Sequence, residues 1–118
     1  MPSEPVHTTI SAYQLSKKLV VACYELTHDL PEEEKTNLSR YLRTAAVSIH
    51  LHLSEGPLIR KKKKRKKWRR TIGRSLVVIN AAVDVMVEVK LADPARAADV
   101  SGLTQACYNY INTLKKAK

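Results

Sequence analysis

Phenylalanine is absent from this 118-residue chain, and glycine occurs only three times. Residues 6–30 and 32–55 contain neither glycine nor proline, so they lack the turn signals that break a chain into short strands. That scarcity favours long helices. No apolar run reaches the ~18–20 residues that span a bilayer. The start, Met1-Pro2-Ser3-Glu4-Pro5, has no basic region followed by an apolar one, so it is not read as a secretory signal. Only two cysteines occur, Cys23 and Cys107. Both fall on apolar faces and are read as buried free thiols of a cytoplasmic protein, a disulfide having no support in the sequence. Enzyme signatures are missing too. There is no glycine-rich phosphate loop, no cysteine pair at metal spacing and no nucleophile elbow. The chain is therefore read as non-enzymatic, with no cofactor and no metal. His50 and His52 diverge by about 200° on a helix and cannot share one ion. Asp84 and Glu88 share a helix face, but a di-metal bundle also needs Glu-x-x-His on facing helices, and none occurs.

Excess charge is likewise lacking over most of the chain. Lys and Arg number 21 against 11 Asp and Glu, yet outside residues 60–70 the two signs balance at 11 each. The whole excess lies in Arg60-Lys61-Lys62-Lys63-Lys64-Arg65-Lys66-Lys67-Trp68-Arg69-Arg70, where ten of eleven residues are cationic. Such a segment repels itself and attracts a polyanion. Lysine neutralises phosphate as a flexible point charge, and arginine forks onto it. A nuclear-import signal or a solvated charged loop has the same composition. Trp68, the chain's one tryptophan, is in register with Ile72 and Leu76 and packs at the end of a core; the alternative is stacking on a base. If the run opens a helix, its cations sit at the positive end of the dipole, which is unfavourable by ~0.3–1 kcal/mol per charge.

Apolar spacing marks four helices. Residues 1–8 read as a loose tail, and Thr8, Thr9 or Ser11 can cap a first helix over about 9–29, with Leu15, Leu19, Ala22, Cys23, Leu26 and Leu30 on one face. Pro31 followed by Glu32, Glu33 and Glu34 suits the first turn of a second helix, 32–55, striped by Leu38, Leu42, Ala45, Ala46, Ile49 and Leu53. Gly56-Pro57 ends it, with Gly56 expected in a left-handed cap. A third helix, about 64–92, carries Trp68, Ile72, Leu76, Ile79, Val83 and Met86. Its second stripe, Val78, Ala81, Val85 and Val89, leaves only a narrow polar strip, as on a helix buried on two sides. One side faces the core and the other a second subunit; the alternative is a bare valine-rich surface. Asp93-Pro94 opens the fourth helix, 94–116, striped by Val100, Leu103, Cys107, Tyr110, Ile111 and Leu114. The fold class is all-α, an antiparallel up-down four-helix bundle over residues 9–118.

Three stretches carry a resemblance: Ala12-Tyr13-Gln14-Leu15-Ser16-Lys17-Lys18-Leu19-Val20, then Leu30-Pro31-Glu32-Glu33-Glu34, then Leu42-Arg43-Thr44-Ala45-Ala46-Val47-Ser48-Ile49 with Leu53-Ser54-Glu55-Gly56. The chain resembles the bacterial four-helix-bundle proteins of the 23S rRNA intervening-sequence family. That family is similar in architecture to the accessory variability determinant of diversity-generating retroelements, a basic pentamer that works with a reverse transcriptase. The resemblance implies a bacterial cytoplasmic homo-oligomer, a pentamer, without a catalytic site and associated with nucleic acid. Members typically read Ser-Ile-Pro-Ala-Asn-Ile-Ala-Glu-Gly where this chain has Ser48-Ile49-His50-Leu51-His52-Leu53-Ser54-Glu55-Gly56, so its second helix should be straighter. Its basic run is also more cationic than is usual.

The expected interface for RNA or DNA is Arg60–Arg70 with Arg74 one turn on. Arg40 and Arg43 are candidate additions along the second helix, although Arg43, Ser48 and Glu55 equally suit hydrogen bonds within the bundle. A reverse transcriptase or another nucleic-acid enzyme is the expected partner protein. The rival reading is a protein-interaction scaffold whose basic run docks an acidic partner. Membrane insertion is disfavoured, because the run lacks flanking apolar residues to insert.

Overall fold

The structure, a computed structural model, describes the backbone of residues 6–117 and the side chains of residues 11–114. Four α-helices occur: α1 (Val6–Thr27), α2 (Leu38–Glu55), α3 (Lys62–Glu88) and α4 (Pro94–Ala117). Single 3-10 turns at Glu32–Glu34 and Gly56–Leu58 flank α2, and no strand is present among the described residues. α1 packs on α2 and α4, and α3 packs on the same two helices, which closes a four-helix bundle.

The apolar stripes form one core. Leu19, Cys23 and Leu26 of α1 meet Leu42, Ala46, Ile49 and Leu53 of α2, Trp68, Ile72, Leu76, Ile79, Val83 and Met86 of α3, and Val100, Cys107 and Ile111 of α4. Ser16, Thr27, Ser39 and Thr104 are buried with them. Thr27 and Thr104 return their hydroxyl protons to the carbonyls of Cys23 and Val100, four residues back, at 2.8 and 2.7 Å. No buried side-chain nitrogen or oxygen lacks a partner among the described residues.

Several helix ends differ from expectation. α1 already includes residues 6–8, so Thr8, Thr9 and Ser11 lie inside the helix rather than at its cap, and residues 1–5 of the expected tail lie outside the described residues. Glu32–Glu34 form a separate 3-10 turn, and α2 begins at Leu38. α3 ends at Glu88 because Lys90 adopts φ 62°, and the Leu91 and Lys90 amides donate to the Met86 and Val87 carbonyls at 2.8 and 3.1 Å. That is a Schellman cap with lysine in the place glycine usually holds. At α4 the expected cap is present, the Arg96 amide donating to Asp93 Oδ2 at 3.2 Å.

Gly56 is not left-handed. It sits at φ −45°, ψ −47°, in right-handed helical space. Its missing side chain serves another purpose, since a Cβ there would lie 2.6 Å from Trp68 Cζ2. The glycine lets the indole ring lie against the end of α2.

Two outcomes are expected. Gly56→Ala should destabilise the fold by about 1–3 kcal/mol, because the atom it meets is a ring carbon that cannot swing aside; chemical denaturation reads this directly. The buried thiols should make stability fall in alkali. Burial pushes Cys23 up from 9.0 to about 12, with Cys107 adding to the rise, and burial pushes Cys107 up to about 11. The unfolded thiols ionise first, so this contribution is complete below pH 9 and is lost as the pH climbs toward 11–12. Urea unfolding at pH 8 and pH 10 should show a smaller loss in Cys107→Val than in the parent chain.

Candidate nucleic-acid interface

The basic run is the connection into α3 and its first turns. Arg60 and Lys61 precede the helix, which starts at Lys62 with no side-chain cap and no acidic residue in its first turn. On dipole grounds this is a poor place to start a helix. The start is fixed instead by two members of the run that turn inward. Trp68 is 5% exposed, and its Nε1 donates to the His52 carbonyl at 2.6 Å. Arg65 is half-buried; its Nη1 donates to the carbonyls of Ile59 at 2.9 Å and Gly56 at 3.3 Å, and its guanidinium lies 5.5 Å from the Trp68 ring centre. Together they tie the first turns of α3 to the end of α2.

Trp68 takes the core position that its register suggests, and Arg65 is partly engaged within the protein. Trp68 is a core residue whose ring and N–H are both occupied within the protein, so it offers no face to a base. Arg65 spends a guanidinium nitrogen on backbone carbonyls and is a clamp before it is a phosphate ligand. The remaining cations face outward. Arg60, Lys61, Lys62, Lys63, Lys64, Lys66, Lys67, Arg70 and Arg74 are exposed, and Arg69 is half-buried.

Arg40 and Arg43 lie on α2, apart in sequence from the run. Both lie in the first two turns of α2, roughly 18–22 Å from its C-terminal end at 1.5 Å per residue. Arg43 is held inside the bundle: its Nε donates to Thr27 Oγ1 at 2.8 Å, and its guanidinium stacks 4.3 Å from the Tyr24 ring centre. Arg40 is exposed. Glu55, expected to hydrogen-bond within the bundle, is exposed as well, whereas the Ser48 hydroxyl lies 3.3 Å from His52 Nδ1.

The two histidines of α2 have separate tasks. His52 donates from Nδ1 to the Ser48 carbonyl at 2.7 Å, while His50 Nδ1 meets Ser16 Oγ at 2.8 Å and its ring lies 4.8 Å from that of Tyr13. Partial burial, with Lys17 nearby, holds His50 below the ordinary imidazole range. No group of three metal-capable side chains occurs among the described residues.

Beyond Arg74 the outer face of α3 turns apolar. Val78, Ala81, Val85 and Val89 are exposed, as expected of the second stripe. Val77, 64% exposed and four residues before Ala81, extends it, while Val87, 50% exposed, lies across the strip of Asn80, Asp84 and Glu88.

The sequence pattern of the 23S rRNA-intervening sequence protein family matches residues 8–113. The chain belongs to this family. The match spans all four helices and includes the whole of the basic run. No curated protein sequence matches the chain. No helix among the described residues is long and apolar enough to cross a membrane.

The division between clamp and contact residues is testable by stability. Arg65→Ala should cost about 1–2 kcal/mol, since it removes charge-assisted bonds to two carbonyls. Lys67→Gln, a solvent-facing change two residues on, should stay within about 0.5 kcal/mol. Denaturant midpoints of the two variants separate the roles.

Proposed function

We propose that this family member is a non-enzymatic accessory protein that binds RNA or DNA through the exposed cations of residues 60–74. One observation carries the reading: the entire charge excess of the chain lies in one short segment, and nearly all of that segment faces solvent at the start of α3. Contacts made by lysine and arginine to phosphate are little dependent on sequence. The family's name, which refers to 23S rRNA, favours RNA as the physiological ligand. The accessory role is to hold nucleic acid for another protein, a reverse transcriptase of a diversity-generating retroelement or an RNA-processing enzyme.

In the same reading the bundle is antiparallel and up-down, and it assembles as a homo-oligomer, a pentamer, through the valine-rich half of α3. Repeating the cationic segment on each subunit raises avidity without any new type of contact. The exposed valines also suit the rival reading, a scaffold that recruits a protein partner.

The test is binding of labelled structured RNA and duplex DNA from 50 to 300 mM salt, with particle mass measured in the same samples. The intact protein should bind with a steep salt dependence and have a mass about five times that of the 13.3 kDa chain. A variant with Lys61, Lys62, Lys63, Lys64, Lys66 and Lys67 changed to Gln, keeping the Arg65 clamp, should lose at least 10-fold in affinity and retain its mass. Equal binding by both proteins, or by neither, would overturn the nucleic-acid reading and leave the scaffold.

A further inference from the structure

Most of the cations of α3 form two rows, the second including half-buried Arg69, and exposed Lys64 belongs to neither. Lys63, Lys67, Arg70 and Arg74 recur at intervals of four, three and four, and Lys62, Lys66 and Arg69 at four and three. At 100° per residue the first row points almost directly away from the core side marked by Trp68 and Ile72, the second lies about 100° to one side of it, and Lys64 about 90° to the other. Between Lys63 and Arg74 the helix rises about 16 Å. The surface is a convex ridge, not a groove. It has no stacking platform, because Trp68 is the one aromatic residue in the segment and its ring is buried. The exposed tyrosines, Tyr13, Tyr24, Tyr41 and Tyr108, belong to the other three helices.

Resting on the nucleic-acid reading above, we infer that the ligand is double-helical, and that the first half of α3 lies along a groove with Lys62, Lys66 and Arg69 facing one phosphate backbone and Lys64 with the Lys63 row facing the other. The charge count supports a duplex. Over about 16 Å a duplex carries roughly ten phosphates at one per 1.7 Å, whereas a stacked single strand carries about five at one per 3.4 Å. Leaving aside the Arg65 clamp, eight cations between Lys62 and Arg74, spread over three sides of the helix, exceed the roughly five phosphates of one stacked strand and can be met from both walls of a groove. Single-strand binders of low specificity combine a basic groove with aromatic side chains on which bases stack, and this ridge has neither. The ridge ends where Val77 and Val78 replace the cations, which limits the footprint to about half a helix.

The experiment compares a 20-bp RNA duplex, a 20-bp DNA duplex and a 40-nucleotide unstructured single strand, equal in phosphate number, at 150 mM salt. At least one duplex should bind 10-fold or more tighter than the single strand. Tighter binding of DNA assigns the B-form major groove, which admits a helix; tighter binding of RNA assigns the wide A-form minor groove. Two triple variants test the rows, Lys63→Gln, Lys67→Gln, Arg70→Gln and Lys62→Gln, Lys66→Gln, Arg69→Gln. Each should reduce the slope of log affinity against log salt for the preferred duplex by about 2–3, at 0.9 per lost phosphate contact. Buried-Trp68 fluorescence should stay unchanged, showing that the fold is intact. Single-strand binding as tight as duplex binding, or a row variant with the parent slope, would overturn the two-row geometry while leaving nucleic-acid binding in place. Failure to bind any of the three would instead overturn the parent reading.

Discussion

The contact between Trp68 and the end of α2 decides how the basic segment is presented. A helix that begins with a string of lysines has no acidic residue to complement its dipole, and neighbouring cations four residues apart repel. The opposing terms are local and specific. The indole buries its ring against Gly56 and gives its N–H to the His52 carbonyl, and Arg65 reaches back to the carbonyls of Gly56 and Ile59. The burial of an aromatic ring, worth about 1.5–3 kcal/mol or more, is comparable to several unfavourable end charges. The cations can therefore be displayed on a helix instead of a loose loop, and their register becomes a property of the fold.

α3 thus divides into two halves with one continuous inner face. Trp68, Ile72, Leu76, Ile79, Val83 and Met86 are buried along its length, while its outer face is cationic up to Arg74 and from Val77 onward carries exposed valines beside a strip of Asn80, Asp84 and Glu88. A purely structural helix of a monomeric bundle would carry mixed charge on that outer face. Here the cations are confined to the first half and the exposed valines to the second.

Much of this was legible in the sequence, and the misses share a cause. Stripes at helical spacing give the four helices and nearly the whole core, because burial follows the 3.6-residue period. End chemistry is less legible. Gly56 reads as a left-handed cap from its neighbours, but its reason is a ring twelve residues away. Lys90 takes the left-handed position that glycine would advertise, so the end of α3 carries no signal. Pro31 and the three glutamates look like a first turn of α2, and they make one 3-10 turn that stops before Leu38. Among the site residues, Arg65 and Arg43 are identical in type to the exposed arginines; only the carbonyls at Gly56 and Ile59, and the hydroxyl and ring at Thr27 and Tyr24, turn them into structural groups. Composition reports their charge and is silent on their partners.

Placement of the opposite charge sharpens the same picture. Arg96 donates to the Glu25 carbonyl at 3.1 Å and lies 3.9 Å from Asp29, which brings the start of α4 against the end of α1. Around these ends lie Glu32, Glu33 and Glu34 ahead of α2, Asp84 and Glu88 late in α3, and Asp93 and Asp99 early in α4. Carboxylates gathered there repel a polyanion. The balance of charge outside residues 60–70 is therefore not spread evenly. It leaves the charge excess at the tied-down start of α3, apart from the end that holds α1 against α4.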